Sequence, residues 1–562
     1  MPATFAMLLR HRAIVAVLAL YAASAIVVPT MTPVAISDDW VYTRSVEILV
    51  RQHELRVLDL SVVTLVFQVA WGGLFATVFG MSFGALRIST VVLTAIGGLA
   101  FYGLCLELGV DRLRSAFGTA AYLFNPLAFV LGFTFMSDPH FAALLVIATF
   151  FYARGLRPGR TGNRAVIAGS AVSAAAFLVR QQGALIPFAV VVFLLFSRRV
   201  RPDRAGLVAL ARAVAIPVAV VGVYYGWLTF VSGVPSIQTQ FLENIEQAGV
   251  GGSWELLRRM TYIEMMYVGL CVVPVVAAAL GGGWRPFRPG SRHGWVLVAA
   301  WAIPLAIGLV AFTADGRRMP YIPQFVHLQG LGPGDLRGGR PWPVDPAVAD
   351  WLTYTCAVAS IAFAAMLARR IATLRTDHTA ALTVMIGFGQ VIGIMPPSYH
   401  FRNWIISVDR YLLPLLPFAL ALGLWALRGA RLSLPVGWLV VAAIGLVSVA
   451  GTRDMLVFQQ AVWDMARTAN ALGVKDTRLD AGAAWDGYHL YEYSRAHGIP
   501  TQTKGGPWWT DLFGPATDSS YVVATSPQQV YDVVLRTEYS SWIQRESVYV
   551  YLLRRQGVAG PP

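Results

Sequence analysis

Apolar runs, each near the roughly 20 residues that cross a bilayer, recur along most of this 562-residue chain. The first, about 13–30, follows Arg10-His11-Arg12 and reads as an uncleaved signal anchor, because apolar residues continue through its Ala-Ser-Ala stretch. Further runs lie near 86–108, 115–134, 138–154, 164–180, 183–197, 205–231, 263–282, 294–313, 351–368, 379–395, 410–427 and 433–451. One more apolar piece, about 61–80, contains Gly72, Gly73 and Gly80. Counted as a span, it would put the Asp111-Arg112-Leu113-Arg114 loop outside, so an interfacial or re-entrant helix is expected instead. The loops holding Arg112/Arg114, Arg154–Arg164, Arg198–Arg204, Arg285–Arg292, Arg369–Arg375 and Arg428/Arg431 then all fall on one side. That is the positive-inside pattern, with the N-terminus cytoplasmic. The expected fold is mainly α, a polytopic membrane helical bundle of about 13 spans with re-entrant or interfacial helices in its first outer loop.

The opposite side receives the longer connections: about 31–85, the Met136–His140 turn, about 232–262, about 314–350 and Pro396–Asp409. The 314–350 segment is rich in Gly and Pro and carries Trp342, as a lid, an acceptor site or a mobile connector would. Beyond residue 451 the pattern changes. Val462, Met465, Ala469 and Leu472 share one helical face, and strand-like runs follow at Thr477–Asp480, Tyr521–Thr525 and Val548–Leu553, with a helical piece at Tyr488–Ala496. Residues 1–451 are therefore expected as a membrane domain and 452–562 as a small extracytoplasmic α/β domain, where Trp508 and Trp509 either stack on sugar rings or fill a core.

Composition narrows the class. The chain is 56% hydrophobic and 13% charged, against roughly 25% charged in soluble domains. A net charge of +14 would suggest nucleic acid in a soluble protein, but here the arginines sit in the short loops between spans. Lys475 and Lys504 are the only lysines, so nearly all the positive charge is guanidinium. Cys105, Cys271 and Cys356 lie far apart in or beside apolar runs, with neither disulfide nor zinc spacing.

Candidate chemistry gathers on the outer side. Ile36-Ser37-Asp38-Asp39-Trp40 places two carboxylates just after the first span, and Phe135-Met136-Ser137-Asp138-Pro139-His140 places another at an apolar hairpin tip. Either acid of the pair can serve as a general base, and either can simply cap the helix that follows. Asp138 is open to the same two readings. Arg180 and Arg410 run against the positive-inside preference at outer span ends, where an arginine snorkels to headgroups or binds an anion. Tyr42, His140 and Tyr411 are accessory candidates, and His400 is a weaker one. No Gly-rich phosphate loop, Ser/His/Asp order or zinc signature occurs. Nucleotide-activated donors are made in the cytoplasm, so an outward-facing transferase needs a donor already carried across, and a polyprenyl-phosphate sugar fits.

The order of these elements resembles a known family. It runs from the acidic pair through Gly80-Met81-Ser82-Phe83-Gly84-Ala85-Leu86-Arg87, Asn125-Pro126, Met136-Ser137-Asp138-Pro139 and Arg180-Gln181-Gln182-Gly183 to Arg410-Tyr411-Leu412-Leu413-Pro414-Leu415-Leu416-Pro417. Over roughly residues 10–430 it is similar to the GT-C glycosyltransferases, in particular the branch of protein O-mannosyltransferases and the lipid A aminoarabinose transferase. The resemblance implies an inverting hexosyl- or pentosyltransferase of the plasma (inner) membrane. Asp38 would be the base, Asp39 would stand where relatives carry Glu, Asp138 would shape the substrate pocket, and Arg180 and Arg410 would hold the donor phosphate. It also implies a lipid-linked donor, an extracytoplasmic glycan, lipid or protein acceptor, and no cofactor or metal. Trp40 departs from the small residue usual after the acidic pair, and the C-terminal domain matches no known sugar-binding module. A lipid-linked-glycan flippase and a glycan polymerase or ligase are the rival functions. A transporter, however, calls for paired repeats and mid-membrane charges, which the chain does not display.

Overall fold

The computed structural model describes residues 10–157, 163–197, 203–285, 292–334, 336–338, 345–395, 407–499, 516–544 and 546–560. Among these, six helices are long and apolar enough to cross a membrane, seven if the bent pair Arg112–Leu123 and Pro126–Gly132 counts as one span. The other expected spans fall on shorter helices, including Arg12–Val27, Ser137–Gly155, Asn163–Phe177, Leu185–Phe196, His378–Gly393 and Leu415–Ala426. A large apolar core runs through the bundle, with Tyr21, Phe101, Phe117, Phe129, Leu145 and Leu420 fully buried. The helices Arg204–Trp227 and Arg292–Ala314 instead leave Leu207, Val218, Val223, Ile303, Ile307 and Val310 exposed. An apolar helix face with no protein against it is a lipid-facing one.

The two ends of the bundle differ in charge. At one end the basic loops bind each other's helix termini. Arg114 donates to the carbonyls of Leu427 (3.1 Å) and Ala430 (2.7 Å), Arg370 to that of Arg428 (2.6 Å), and Arg428 to Leu108 (2.9 Å) and Asp377 (2.7 Å). These loops belong to the set expected on one side, and the fold brings them together. At the other end lie the acidic pair, the Met136–His140 hairpin, Arg180 and Arg410. The 61–80 piece forms the helix Val66–Phe79 there, with Gln68 donating to the Phe135 carbonyl at 2.7 Å. The 232–262 connection is not a loop: it is helical from Ser236 and joins the following span as Ser236–Gly281, kinked at Gly249 (φ 58°).

Among the described residues the C-terminal region has four strands, β3 Leu479–Asp480, β4 Tyr521–Ala524, β5 Tyr531–Tyr539 and β6 Val548–Arg555, in the order β3-β4-β6-β5. A separate hairpin, β1 Val326–His327 with β2 Gly330–Leu331, lies in the 314–350 segment. β3 and β4 are parallel, while β6 pairs antiparallel with both β4 and β5, in register Val522↔Leu553 and Thr537↔Val550. The expected amphipathic helix after residue 451 is the continuation of the last span, one helix from Leu434 to Ala471. The sheet is tied to that helix through Asp454, whose carboxylate accepts the N–H groups of Trp542 (2.8 Å) and Ile543 (3.0 Å). A second joint faces the helix Asp39–Gln52. There Trp40 packs beside Tyr491 of the helix Ala483–Ala496, with ring centroids 5.7 Å apart, and its indole occupies the space that a Cβ at Gly487 would need. This contact explains the large residue after the acidic pair.

Candidate active site

Local sequence chemistry places each charged residue. The chain turns at Ser37 with φ 53°, in the left-handed region, and Asp38 then heads the helix Asp39–Gln52. The two adjacent carboxylates go to different partners. Asp39 folds back so that Oδ1 accepts the N–H of Ile36 (2.6 Å) and Oδ2 that of Phe135 (3.3 Å), and it is buried. Burial raises its carboxyl to about 7, against the opposing pull of Arg87 and those two N–H groups. Asp38 makes no cap hydrogen bond and instead meets Arg410 Nη2 at 2.7 Å.

Asn125-Pro126 breaks a helix, with Asn125 Oδ1 capping Leu127 at 3.0 Å and the two halves bent by 66°. The chain then turns back into the helix Ser137–Gly155, and Asp138 lies in its first turn. Asp138 does not cap this helix: its Oδ1 pairs with Arg180, and Arg180 also donates to Ser137 Oγ at 3.3 Å. Arg180-Gln181-Gln182-Gly183 turns sharply after the helix Asn163–Phe177. A Cβ at Gly183 would strike the backbone of Ala176 and Phe177, which fixes glycine there. Gln181 anchors the turn through the Val62 carbonyl at 2.8 Å.

The Asp409–Leu412 turn supplies the fourth group. Asp409 does not neutralise its neighbour Arg410. It accepts the N–H groups of Phe325 (3.0 Å) and Val326 (2.7 Å), and burial, opposed by these bonds, raises its carboxyl to about 6. Arg410 is thereby left to Asp38. Both guanidiniums lie over the Tyr411 ring, Arg180 5.3 Å and Arg410 5.4 Å from its centroid. Tyr42 is buried close enough to feel Arg410, Asp38, Asp138 and Arg180. Burial pushes its phenol above the usual range, with Arg410 acting against the shift.

The structure thus unites Asp38, Asp138, Arg180, Arg410, Tyr42 and Tyr411 in one cluster of two ion pairs. Asp39 stands behind it as a backbone anchor. His140 is buried on the same helix as Asp138, but its Nδ1 bonds to the Met136 carbonyl (2.8 Å) and its ring meets Phe135 edge-on. His400, Trp342, Trp508 and Trp509 lie outside the described residues. Accessibility separates the acids: the Asp38 side chain is 25% exposed and that of Asp138 2%. Asp138 Oδ2 and Arg410 Nε are buried without a hydrogen-bond partner, as expected of groups that await a ligand. A cavity of about 370 Å³ adjoins the cluster at Ser37 and Val408 and is lined also by Arg259, Arg317, Gln324 and Tyr321.

Two buried residues carry functions that the sequence pattern alone did not assign. Arg87 donates to the carbonyls of Thr30 (3.1 Å), Thr32 (2.6 Å) and Val34, holding the segment that delivers the acidic pair. Asp409 pins the 314–334 segment beside the site. A charge at the head of an apolar run was the signal for Arg87; nothing local marks Asp409.

Comparison with known proteins adds the following. Residues 69–225 match the family model described as dolichyl-phosphate-mannose-protein mannosyltransferase. The match supports, over this stretch, the resemblance to GT-C membrane glycosyltransferases drawn from the motifs. No curated protein matches the chain by sequence. Among solved structures, ArnT from Cupriavidus metallidurans bound to undecaprenyl phosphate is 15% identical with TM-score 0.40, covering 97% of this chain and 99% of its own. The archaeal oligosaccharyltransferase AglB from Archaeoglobus fulgidus, in complex with an inhibitory peptide and a dolichol-phosphate, is 12% identical with TM-score 0.44, covering 91% and 69%. The arabinofuranosyltransferase AftD from Mycobacteria is 12% identical with TM-score 0.40, covering 97% and 40%.

Proposed function

We propose that the protein is a membrane glycosyltransferase that moves a sugar from a polyprenyl-phosphate donor to an acceptor hydroxyl, with inversion and with Asp38 as the general base. The observation that carries this reading is the division of labour among the acids. Asp38 alone of the four is partly exposed and bound only to a guanidinium, whereas Asp39 and Asp409 are committed to backbone N–H groups and Asp138 to Arg180. The family matched over residues 69–225 is named for a dolichyl-phosphate-mannose donor, which fits a lipid-phosphate leaving group.

In the proposed step the acceptor O–H gives its proton to the Asp38 carboxylate as its oxygen attacks the anomeric carbon. The bond from that carbon to the phosphate oxygen breaks, and the electron pair leaves with the polyprenyl phosphate. Charge develops on the leaving phosphate, and fixed cations near it lower the barrier. Arg410 suits this role because its Nε–H is unpartnered and a guanidinium carries five donors, enough for a phosphate and Asp38 together. Arg180, held by Asp138 and the Tyr411 ring, is the second cation. The cations being guanidiniums, we assign no resident metal to the reaction. We propose that the site faces the extracytoplasmic side of a plasma (inner) membrane; the basic loops gathered at the opposite end of the bundle support this sidedness.

The test is transfer by the purified protein in nanodiscs, with a panel of polyprenyl-phosphate hexoses and pentoses and a cell-envelope extract as acceptor. The expected result is consumption of one donor, a product of inverted anomeric configuration, and a rate unchanged by EDTA. A retained configuration, or labelled lipid crossing sealed vesicles with no transfer, overturns the reading.

A further inference from the structure

A second cleft, of about 530 Å³, lies away from the two ion pairs, where the helix Asp39–Gln52 meets the long helix Leu434–Ala471 and the helix Ala483–Ala496. Trp463, Trp485 and Tyr488 line it, with Arg467 and Asn470 on its exposed side. The rings are locked: Trp463 meets Trp485 edge-on at 5.1 Å, and Trp485 stacks on His489 at 3.8 Å. Trp463 is 3% exposed and Trp485 2%, yet neither indole N–H has a hydrogen-bond partner. Thr43, on the same wall, is also buried with its hydroxyl unpartnered. Three orphaned polar groups in one cleft are costly unless a ligand satisfies them.

The cleft is joined to the catalytic cluster by one helix. Asp39, Thr43 and Glu47 are spaced four apart and so share a face of Asp39–Gln52, and Asp38 heads the same helix about 100° around from Asp39. At a rise of about 1.5 Å per residue, Thr43 and Glu47 stand roughly 8 and 14 Å along the axis from Asp38. Two of the three charged groups lining the cleft are paired, and the third, Arg51, is exposed. Glu47 accepts from Arg44 (2.8 Å) and Tyr488 (2.9 Å), and Arg467 pairs with Asp464 (2.7 Å) and the Pro33 carbonyl (2.9 Å). Aromatic walls, planar polar side chains and spare N–H donors, with Glu47 and Arg467 already paired and Arg51 exposed to solvent, match a chain of hydroxyl-bearing rings.

We infer that this cleft binds a glycan, holding several neutral monosaccharide units of the acceptor so that its terminal hydroxyl reaches Asp38. The inference rests on the transferase reading and gives that reading an acceptor class: a polysaccharide or oligosaccharide rather than a simple lipid.

The test uses the full chain in neutral-lipid nanodiscs, with neutral linear hexose and pentose oligomers from monosaccharide to hexasaccharide. Tryptophan fluorescence and saturation-transfer NMR report binding. The expected result is saturable binding that strengthens with chain length, weakens roughly tenfold or more in Trp463→Phe and Asn470→Ala, and persists in Asp38→Asn. Trp463→Phe keeps one aromatic ring but loses the pyrrole half with its N–H at a buried position, while Asn470 is exposed, so the fold is preserved at least in Asn470→Ala. No saturable binding of any oligomer, binding unchanged in both variants, or an equal response to anionic lipid without sugar overturns the inference. Oligomer binding without transfer from any donor would sink the transferase reading and leave the cleft standing, and transfer without oligomer binding would do the reverse.

Discussion

Removing Arg180 leaves the buried Asp138 without its ion-pair partner, where one oxygen already lacks a hydrogen bond. Arg180→Ala is therefore expected to destabilise the protein by about 3–5 kcal/mol, seen as a lowered thermal midpoint in detergent. The double variant Asp138→Leu/Arg180→Leu recovers most of that loss, because no charge remains uncompensated, yet transfer stays absent. Recovery of transfer in the double variant would show that the pair is only structural. Asp39 gives a pH signature. Its carboxyl rises from 3.8 to about 7 on folding, so the unfolded chain releases the proton first. The contribution of Asp39 to stability is then greatest below about pH 4, falls as pH rises towards 7, and is flat above that. Asp409, raised to about 6, adds a slope of the same sign. Thermal midpoints of the wild type against pH should show this fall, and Asp39→Asn should flatten it. The acids were legible as candidates, but not the split between Asp38 and Asp39. Neighbours on a helix point roughly 100° apart, and which one faces Arg410 depends on residues hundreds of positions away.

At the scale of elements, the joint between Asp39–Gln52 and Ala483–Ala496 couples the catalytic loop to the C-terminal region. Gly487→Ala places a methyl group where the Trp40 indole lies, and should cost about 1–3 kcal/mol through overpacking. Faster limited proteolysis around Ala483–Ala496, with a parallel fall in transfer, checks this; unchanged proteolysis would show the joint to be slack. β3, β4 and β6 were visible as short apolar strand-like runs. β5 was not, because it is an edge strand exposed along nearly its whole length and buries no alternating face. The continuity of Leu434–Ala471 across residue 451 was also hidden, since its apolar all-round pattern changes to a one-sided one at Gly451, a residue that weakens helices.

For the whole molecule, the segregation of charge predicts sidedness. The three native cysteines are buried, so single introduced thiols report cleanly. A membrane-impermeant maleimide added to intact cells should label Asn470→Cys, near the glycan cleft, and spare Leu113→Cys, which is 60% exposed at the basic end. The reverse pattern would invert the topology. Hydropathy and loop charge made the bundle and its two ends legible, because both act residue by residue along the chain. The meeting of Asp38 with Arg410, and of Asp138 with Arg180, was not legible, since it is a product of tertiary packing.

The most direct measurement is single-turnover transfer from the accepted polyprenyl-phosphate sugar, comparing wild type with Asp38→Asn, with donor binding recorded on the same samples. The account predicts that Asp38→Asn binds donor with near wild-type affinity while its rate falls by about two to four orders of magnitude, the range associated with general-base catalysis. A rate within a few-fold of wild type would contradict it.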